Sequence, residues 1–225
     1  MLKSNVCFVF GAGTPPSVTP QIAPGDFVIA ADGGYAYTCS VGITANVVIG
    51  DFDSLEDEPE GGEEKPLVVR LPRQKNQTDM LAALQMGLEL GFVSFHIFGG
   101  TGGRTDHTLA NIQCLNYLLG KGARGYLYDD RTVLTAMRGK VWLTAPEQSC
   151  ISVFALGGPA RGVYIRGLRY ELDDALLSND FPLGVSNEFT QNPAYVGVDE
   201  GSLLLVYPIE TIEHDDSPQQ TRLVR

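Results

Sequence analysis

Four glycines fall within five positions, at Gly99, Gly100, Gly102 and Gly103. An apolar run over residues 93–98 leads into them, and Arg104-Thr105-Asp106-His107 follows and opens a helical stripe. A strand that feeds a glycine loop and then a helix belongs in an α/β layer fold. The loop amides and the helix N-terminus together make an anion cradle. Arg104 suits bidentate contact with a phosphate. The run is neither the dinucleotide fingerprint nor a Walker loop, because no Lys-Ser/Thr follows. His107 is expected to hydrogen-bond at the helix start rather than to act as a base.

The rest of the first half repeats this layout. Residues 6–10, 27–31, 47–49 and 67–70 are short, β-branched or aromatic, and bounded by turn residues. They read as buried strands of a mainly parallel sheet. Residues 78–90 carry Leu81, Leu84 and Leu88 on one face and stop at Gly91. Residues 106–119 carry Leu109, Ile112, Leu115 and Leu119, stop at Gly120, and place Asp106 as N-cap. Beyond about Gly125 the pattern changes. Residues 132–137, 140–144, 150–156, 162–165 and 202–207 alternate and are punctuated by Gly, Pro and Asn, as in an antiparallel sandwich. Residues 173–177 suggest one short helical turn. The expected division is an α/β domain over 1–122, an all-β sandwich domain over 123–213 and a flexible tail over 214–225.

Asp+Glu number 27 against 16 Lys+Arg, a net charge of −11, which excludes a generic nucleic-acid binder. It does not bear on a small phosphate pocket, which needs only a few local groups. No apolar run approaches the ~20 residues of a membrane span. Residues 1–10 carry one Lys and run into a glycine turn, so no secretory signal is expected. Cys7, Cys39, Cys114 and Cys150 form no C-x-x-C pair. Cys7, Cys114 and Cys150 lie in apolar runs and are expected to be buried thiols, which fits a reducing cytoplasm.

Polar clusters follow the expected strands, at the edge where open α/β sheets bind ligands. Asp32-Gly33-Gly34 follows one strand and allows backbone approach to a phosphate. Asp51 and Asp53 flank one residue, so extended backbone turns both carboxylates to the same side. They repel unless a cation lies between them, and hard oxygens suit Mg²⁺ with a bound phosphate. Glu56-Asp57-Glu58 just downstream fits a solvated acidic turn equally well. Lys75-Asn76-Gln77-Thr78-Asp79 opens the first helix and adds a cation, a hydroxyl and a carboxylate. Asp32, Asp51, Asp53, Asp79, Arg104 and Asp106 thus line one sheet edge, an arrangement suited to phosphoryl transfer with Mg²⁺.

The segments ADGGYAY (31–37), VIGDFDSL (48–55), KNQTDMLAAL (75–84), FGGTGGRTDHTLANI (98–112), GVSNEF (184–189) and DEGSLLLVYP (199–208) resemble the thiamin pyrophosphokinase (thiamin diphosphokinase) family, in that family's order. The resemblance implies a Rossmann-like catalytic domain followed by a β-sandwich that helps hold thiamin. It implies a homodimer with active sites between subunits, and transfer of pyrophosphate from ATP to thiamin. By motif, Asp51, Asp53 and Asp79 look like the Mg²⁺ cluster and, with Arg104, the catalytic set. Gly99, Gly100, Thr101, Arg104 and Asp106 look like ATP contacts, with Asp32, Gly33, Gly34, Lys75, Gln77, Thr78 and His107 beside them. Ser186 and Asn187 look like thiamin-side residues. The acidic stretch 56–65 reads as a solvated loop, and Trp142 matches no ligand position. The same residues also admit a D-x-D phosphatase or phosphomutase with Asp51 as nucleophile, and a nucleotide-binding sensor without catalysis.

Overall fold

The structure is a computed structural model, described over residues 5–51, 66–72, 76–214 and 223–224. The chain divides into two units: Met1–Cys114 with Leu127–Asp130 and Arg222–Arg225, and Leu115–Tyr126 with Arg131–Thr221.

Short apolar runs bounded by turns make the first unit. Its elements are β1 (Cys7–Phe10), β2 (Thr19–Pro20), β3 (Phe27–Ala31), α1 (Gly34–Ser40), β4 (Val47–Gly50), β5 (Leu67–Arg70), α2 (Asp79–Glu89) and β6 (Ser94–Phe98). It also takes α3 (Thr105–Gly120) as far as Cys114, and the end of β7 (Arg124–Tyr128). The strand order is β7-β6-β1-β3-β4-β5. The pairs β1–β6, β1–β3, β3–β4 and β4–β5 are all parallel. The expected parallel sheet is therefore present, but β5, expected to be buried, is mostly exposed because it ends the strand order.

Strand period two sorts the side chains onto two faces. Cys7 and Phe95 turn toward α2, where Gly87 sits so close that a Cβ would strike Phe95. The opposite face carries an aromatic stack. Phe10 lies 5.5 Å from Phe98, and Phe98 lies 4.5 Å from Tyr128 with rings 5° from parallel. Tyr37 of α1 meets Phe10 edge-on at 5.2 Å. Each such pair adds ~0.5–1.5 kcal/mol beyond the area it buries.

Several expectations shift. The buried stripe of α2 is Met80, Ala83, Leu84 and Gly87, so Leu81 and Leu88 stand at its margin. In α3 the buried residues are Asn111, Cys114, Leu115 and Leu118, and Leu109 is exposed. Asp106 lies in the first turn of α3, not at its N-cap, because the helix begins at Thr105. Residues 34–40, for which the sequence suggests no helix, form α1.

The second unit holds β8 (Thr132–Thr144), β9 (Cys150–Ala155), β10 (Ala160–Arg166), β11 (Leu172–Leu177), β12 (Gly184–Glu188), β13 (Ala194–Pro208) and β14 (Ile212–His214). The pairs β10–β11, β10–β13, β9–β12, β8–β13, β9–β13 and β8–β14 are all antiparallel. β13 pairs β8 along both its halves, with β10 beside its first half and β9 beside its second. The register shifts between Val198 and Leu203, and Gly139 and Gly201 at φ +71° and +96° let both strands bend there. The two expected strands 132–137 and 140–144 are therefore one bent strand. Residues 173–177 are strand, not a helical turn, because Ala175 and Leu177 pair with Val163 and Ala160. Tertiary pairing overrides the local signal there.

Of the expected tail, Leu223–Val224 forms β15, which pairs antiparallel with β2. No described helix is long and apolar enough to cross a membrane. All four cysteines are free thiols. Burial raises the Cys7 pKa and pushes Cys114 up to about 11. Cys150 is exposed rather than buried, because the alternation of β9 puts its first residue outward.

A part-buried polar knot holds β14. Glu213 accepts from Arg124 Nη2 at 2.9 Å, Tyr126 Oη at 3.1 Å and Tyr207 Oη at 2.6 Å. Burial, and then the Glu213 charge, hold the Tyr207 hydroxyl protonated far above its ordinary range. Glu213→Ala takes the carboxylate from the part-buried Arg124 and from two tyrosine hydroxyls and is expected to cost ~1–3 kcal/mol, read by urea unfolding. A loss under 1 kcal/mol contradicts that role for the knot.

Candidate active site

The C-terminal ends of β1, β3 and β6 open onto one cavity of about 340 Å³ within the first unit. Two glycine loops form much of its wall. Gly11 N–H donates to Phe98 O at 2.8 Å, Gly13 N–H to Gly99 O at 2.7 Å and Thr14 N–H to Thr101 O at 2.8 Å. These bonds hold the main chains too close for side chains: a Cβ on Gly13 strikes the Thr101 and Gly99 carbonyls, and one on Gly99 strikes Gly11 O. Gly103 differs. Its φ of +60° favours glycine, yet a Cβ there meets nothing within 4 Å.

Asp32, Thr78, Asp79, Arg104 and His107 also line this cavity. Asp32 stands at φ +49°, a left-handed conformation that Asp tolerates, and its N–H donates to Ile49 O at 2.8 Å. Asp51 follows β4 at the neighbouring strand end, where Gly50 packs against the Asp32 backbone. Asp79 occupies the first turn of α2, a position favoured by the helix dipole. Thr78 caps that helix, its Oγ1 accepting from Leu81 N at 3.2 Å. Gly33 and Gly34 serve packing: a Cβ on Gly34 would enter the Phe10 carbonyl. Gln77 is half-buried beside Thr78. Asp53 and Lys75 lie outside the described residues. Among the described residues no three His, Cys, Asp or Glu side chains form a metal-binding group.

Arg104 and Asp106 make a bidentate pair, Nη2–Oδ2 at 2.6 Å and Nε–Oδ1 at 3.2 Å. The Arg104 guanidinium holds the Asp106 carboxyl below the usual range, and Asp106 in turn raises Arg104. Both side chains are well exposed, so Arg104 is available at the cavity mouth once it changes partner.

Three expected ligand groups already have partners inside the chain. The Thr101 hydroxyl donates to Asp129 Oδ1 at 2.7 Å. The Thr78 hydroxyl oxygen accepts the helix-cap bond from Leu81 N. Asn187 is buried in the second unit, where its Nδ2 donates to Tyr170 O at 2.7 Å and its Oδ1 accepts from Tyr170 N at 2.9 Å. Ser186 is exposed on β12 at φ +54°. Gly11, Gly13 and Asn111, which no sequence motif marks as ligand groups, also line the cavity. Asn111 reaches Gly100 O at 2.7 Å, and its only sequence signal is an amide at a core position of α3. For Gly11 and Gly13 the signal is a glycine pair directly after the first strand.

The Arg104–Asp106 pair gives a direct test. A lowered carboxylate pKa marks an interaction present above the unfolded value and lost as pH falls through the folded one. Arg104→Gln is expected to raise the Asp106 midpoint in an NMR titration while leaving thermal stability unchanged, since exposed pairs contribute little. An unmoved midpoint contradicts the pairing.

Residues 21–127 match the family described as thiamin pyrophosphokinase, catalytic domain, and residues 141–203 match thiamin pyrophosphokinase, vitamin B1 binding domain. The chain is 27% identical over 203 residues to the thiamine pyrophosphokinase of Bacillus subtilis, a span covering 87% of this chain and 95% of that relative. It is 26% identical over 176 residues to thiamin pyrophosphokinase 1 of Caenorhabditis elegans, covering 73% and 70%. The crystal structure of a thiamin pyrophosphokinase family protein from Enterococcus faecalis has a TM-score of 0.77 at 26% identity, covering 91% of this chain and 99% of that one. The B. subtilis enzyme's crystal structure shares the mixed α/β fold at a TM-score of 0.78 and 23% identity, with the same coverage of 91% and 99%. The two family matches follow one another and together take up more than half of the chain, so the chain belongs to the thiamin pyrophosphokinase family.

Proposed function

We propose that this chain moves the β,γ-pyrophosphoryl group of ATP onto the hydroxyl of thiamin, giving thiamin diphosphate and AMP. The observation that carries it is one cavity, walled by two glycine loops, where Arg104, Asp32 and Asp79 meet at the edge of a parallel sheet. Its volume falls within the ~300–1,000 Å³ of small-molecule clefts. In this reading residues 1–122 are the catalytic domain and residues 123–213 a β-sandwich that takes the vitamin.

The donor set suits a polyphosphate carried with a divalent cation, since backbone, one guanidinium and hard carboxylate oxygens share the cavity. Asp51, Asp53 and Asp79 would hold Mg²⁺, whose chemistry is to neutralise charge on the phosphate oxygens. Arg104 exchanges Asp106 for the transferred phosphates, and the amides around Gly99, Gly100 and Gly103 surround them. Lys75, Gln77, His107 and the backbone near Gly33 and Gly34 flank the nucleotide. Thr78 and Thr101 work by holding Asp79 and the glycine loop in place. The thiamin oxygen bonds to the β-phosphorus, and the bond from that phosphorus to its α-bridging oxygen breaks. AMP leaves with the bridging oxygen, and the hydroxyl proton passes to a carboxylate. Ser186 offers its exposed hydroxyl to thiamin, and Asn187 shapes that side through the Tyr170 backbone. A cytoplasmic homodimer with active sites between subunits belongs to the same proposal.

The test resolves by mass the products of ATP and Mg²⁺ with and without thiamin. Thiamin-dependent AMP and a thiamin species two phosphates heavier are expected. Asp51→Asn should keep the fold and lose about 100-fold or more in turnover. ATP binding without thiamin-dependent AMP overturns the proposal in favour of a sensor, and a trapped aspartyl-phosphate at Asp51 overturns it in favour of the D-x-D phosphatase.

A further inference from the structure

Two consecutive carboxylates, Asp129 and Asp130, follow β7 directly, both within the first unit. Each takes hold of a different glycine loop. Asp129 Oδ1 accepts the Thr101 hydroxyl at 2.7 Å, and Thr101 is buried. Asp130 Oδ1 accepts the Ser17 N–H at 3.0 Å and the Ser17 hydroxyl at 2.5 Å. Thr101 lies between Gly100 and Gly102, which both line the cavity, and its carbonyl accepts Thr14 N–H. One carboxylate therefore fixes one of the three residues through which the two loops are joined. Hydroxyl-to-carboxylate bonds are charge-assisted and stronger than neutral ones.

We propose that Asp129 is a positioning residue for the nucleotide phosphates: through Thr101 it sets the spacing of the two glycine loops without itself touching substrate. The proposal rests on the cavity being the ATP site. No motif quoted from the sequence includes Asp129, and its partner lies 28 positions away. A cradle of backbone amides has no side chain with which to correct its own spacing. Displacement of a positioning group by about 1 Å can cost about 100-fold.

The probe is α,β-methylene-ATP with Mg²⁺, titrated by calorimetry into the full chain, with thermal unfolding measured alongside. Asp129→Ala is expected to bind about tenfold more weakly, about 1.4 kcal/mol. Thr101→Val should lose as much, and the double variant no more than either alone. Asp129→Asn keeps an oxygen acceptor and should stay within about threefold of the parent, a rescue that a change in bulk stability alone does not produce. A folded Asp129→Ala that binds like the parent overturns the proposal, as does an Asn variant as weak as Ala. If Asp129→Ala does not fold, Thr101→Val against Thr101→Ser decides, because Ser keeps the donor; equal binding by the two overturns it. A parent that binds the analogue but forms no thiamin diphosphate refutes the transfer reaction and leaves Asp129 in its role. A parent that does not bind the analogue refutes both.

Discussion

Three main-chain hydrogen bonds between residues 11–14 and residues 98–101 determine what the first unit can offer a ligand. They bring two loops together at backbone distance, which only glycine permits at positions 11, 13 and 99. The resulting wall is made of peptide groups. Peptide dipoles are fixed by the fold, so they need no reorganisation when charge arrives. Most of the glycines are thus explained by packing before any ligand is invoked, and Gly103 alone of the run faces open space.

The loops stand on a rigid base. Phe10, Phe98 and Tyr128 form a buried ring stack, and each is the last residue of its strand. The next residues are Gly11, Gly99 and Asp129, which belong to the cavity wall or to its support. Flat rings with few rotamers transmit little play, so three independent strand ends leave the core in a fixed relation. A site assembled from short loops gains its accuracy from that layer.

The sequence was most informative where apolar runs meet glycine. Residues 78–90 were expected to be helical, and α2 spans Asp79–Glu89 with Thr78 and Leu90 as its caps. The short parallel strands β1, β3, β4 and β6 were equally visible, since both their faces are buried, whereas β5 is mostly exposed. Helix α1 was not, because seven residues of Gly-Tyr-Ala-Tyr-Thr-Cys-Ser show no apolar stripe. In α3 the expected leucine stripe was displaced because Asn111 turns inward to Gly100. Gly139 and Gly201 looked like strand ends, whereas they bend continuous strands. Asp129 and Asp130 carry no signal in the sequence, because their partners lie 28 and 113 positions away and no local pattern encodes such a pairing. Of the paired carboxylates, Asp51 sits at the expected strand end and Asp53 lies outside the described residues.

The chain's single tryptophan, Trp142, sits half-exposed on β8, 4.9 Å from the Tyr195 ring and in the second unit. Light at the red edge of protein absorption excites indole and spares phenol. Emission collected that way originates wholly from the antiparallel half of the molecule, while the half that bears the cavity has no indole of its own. The protein therefore carries a built-in optical label for one unit.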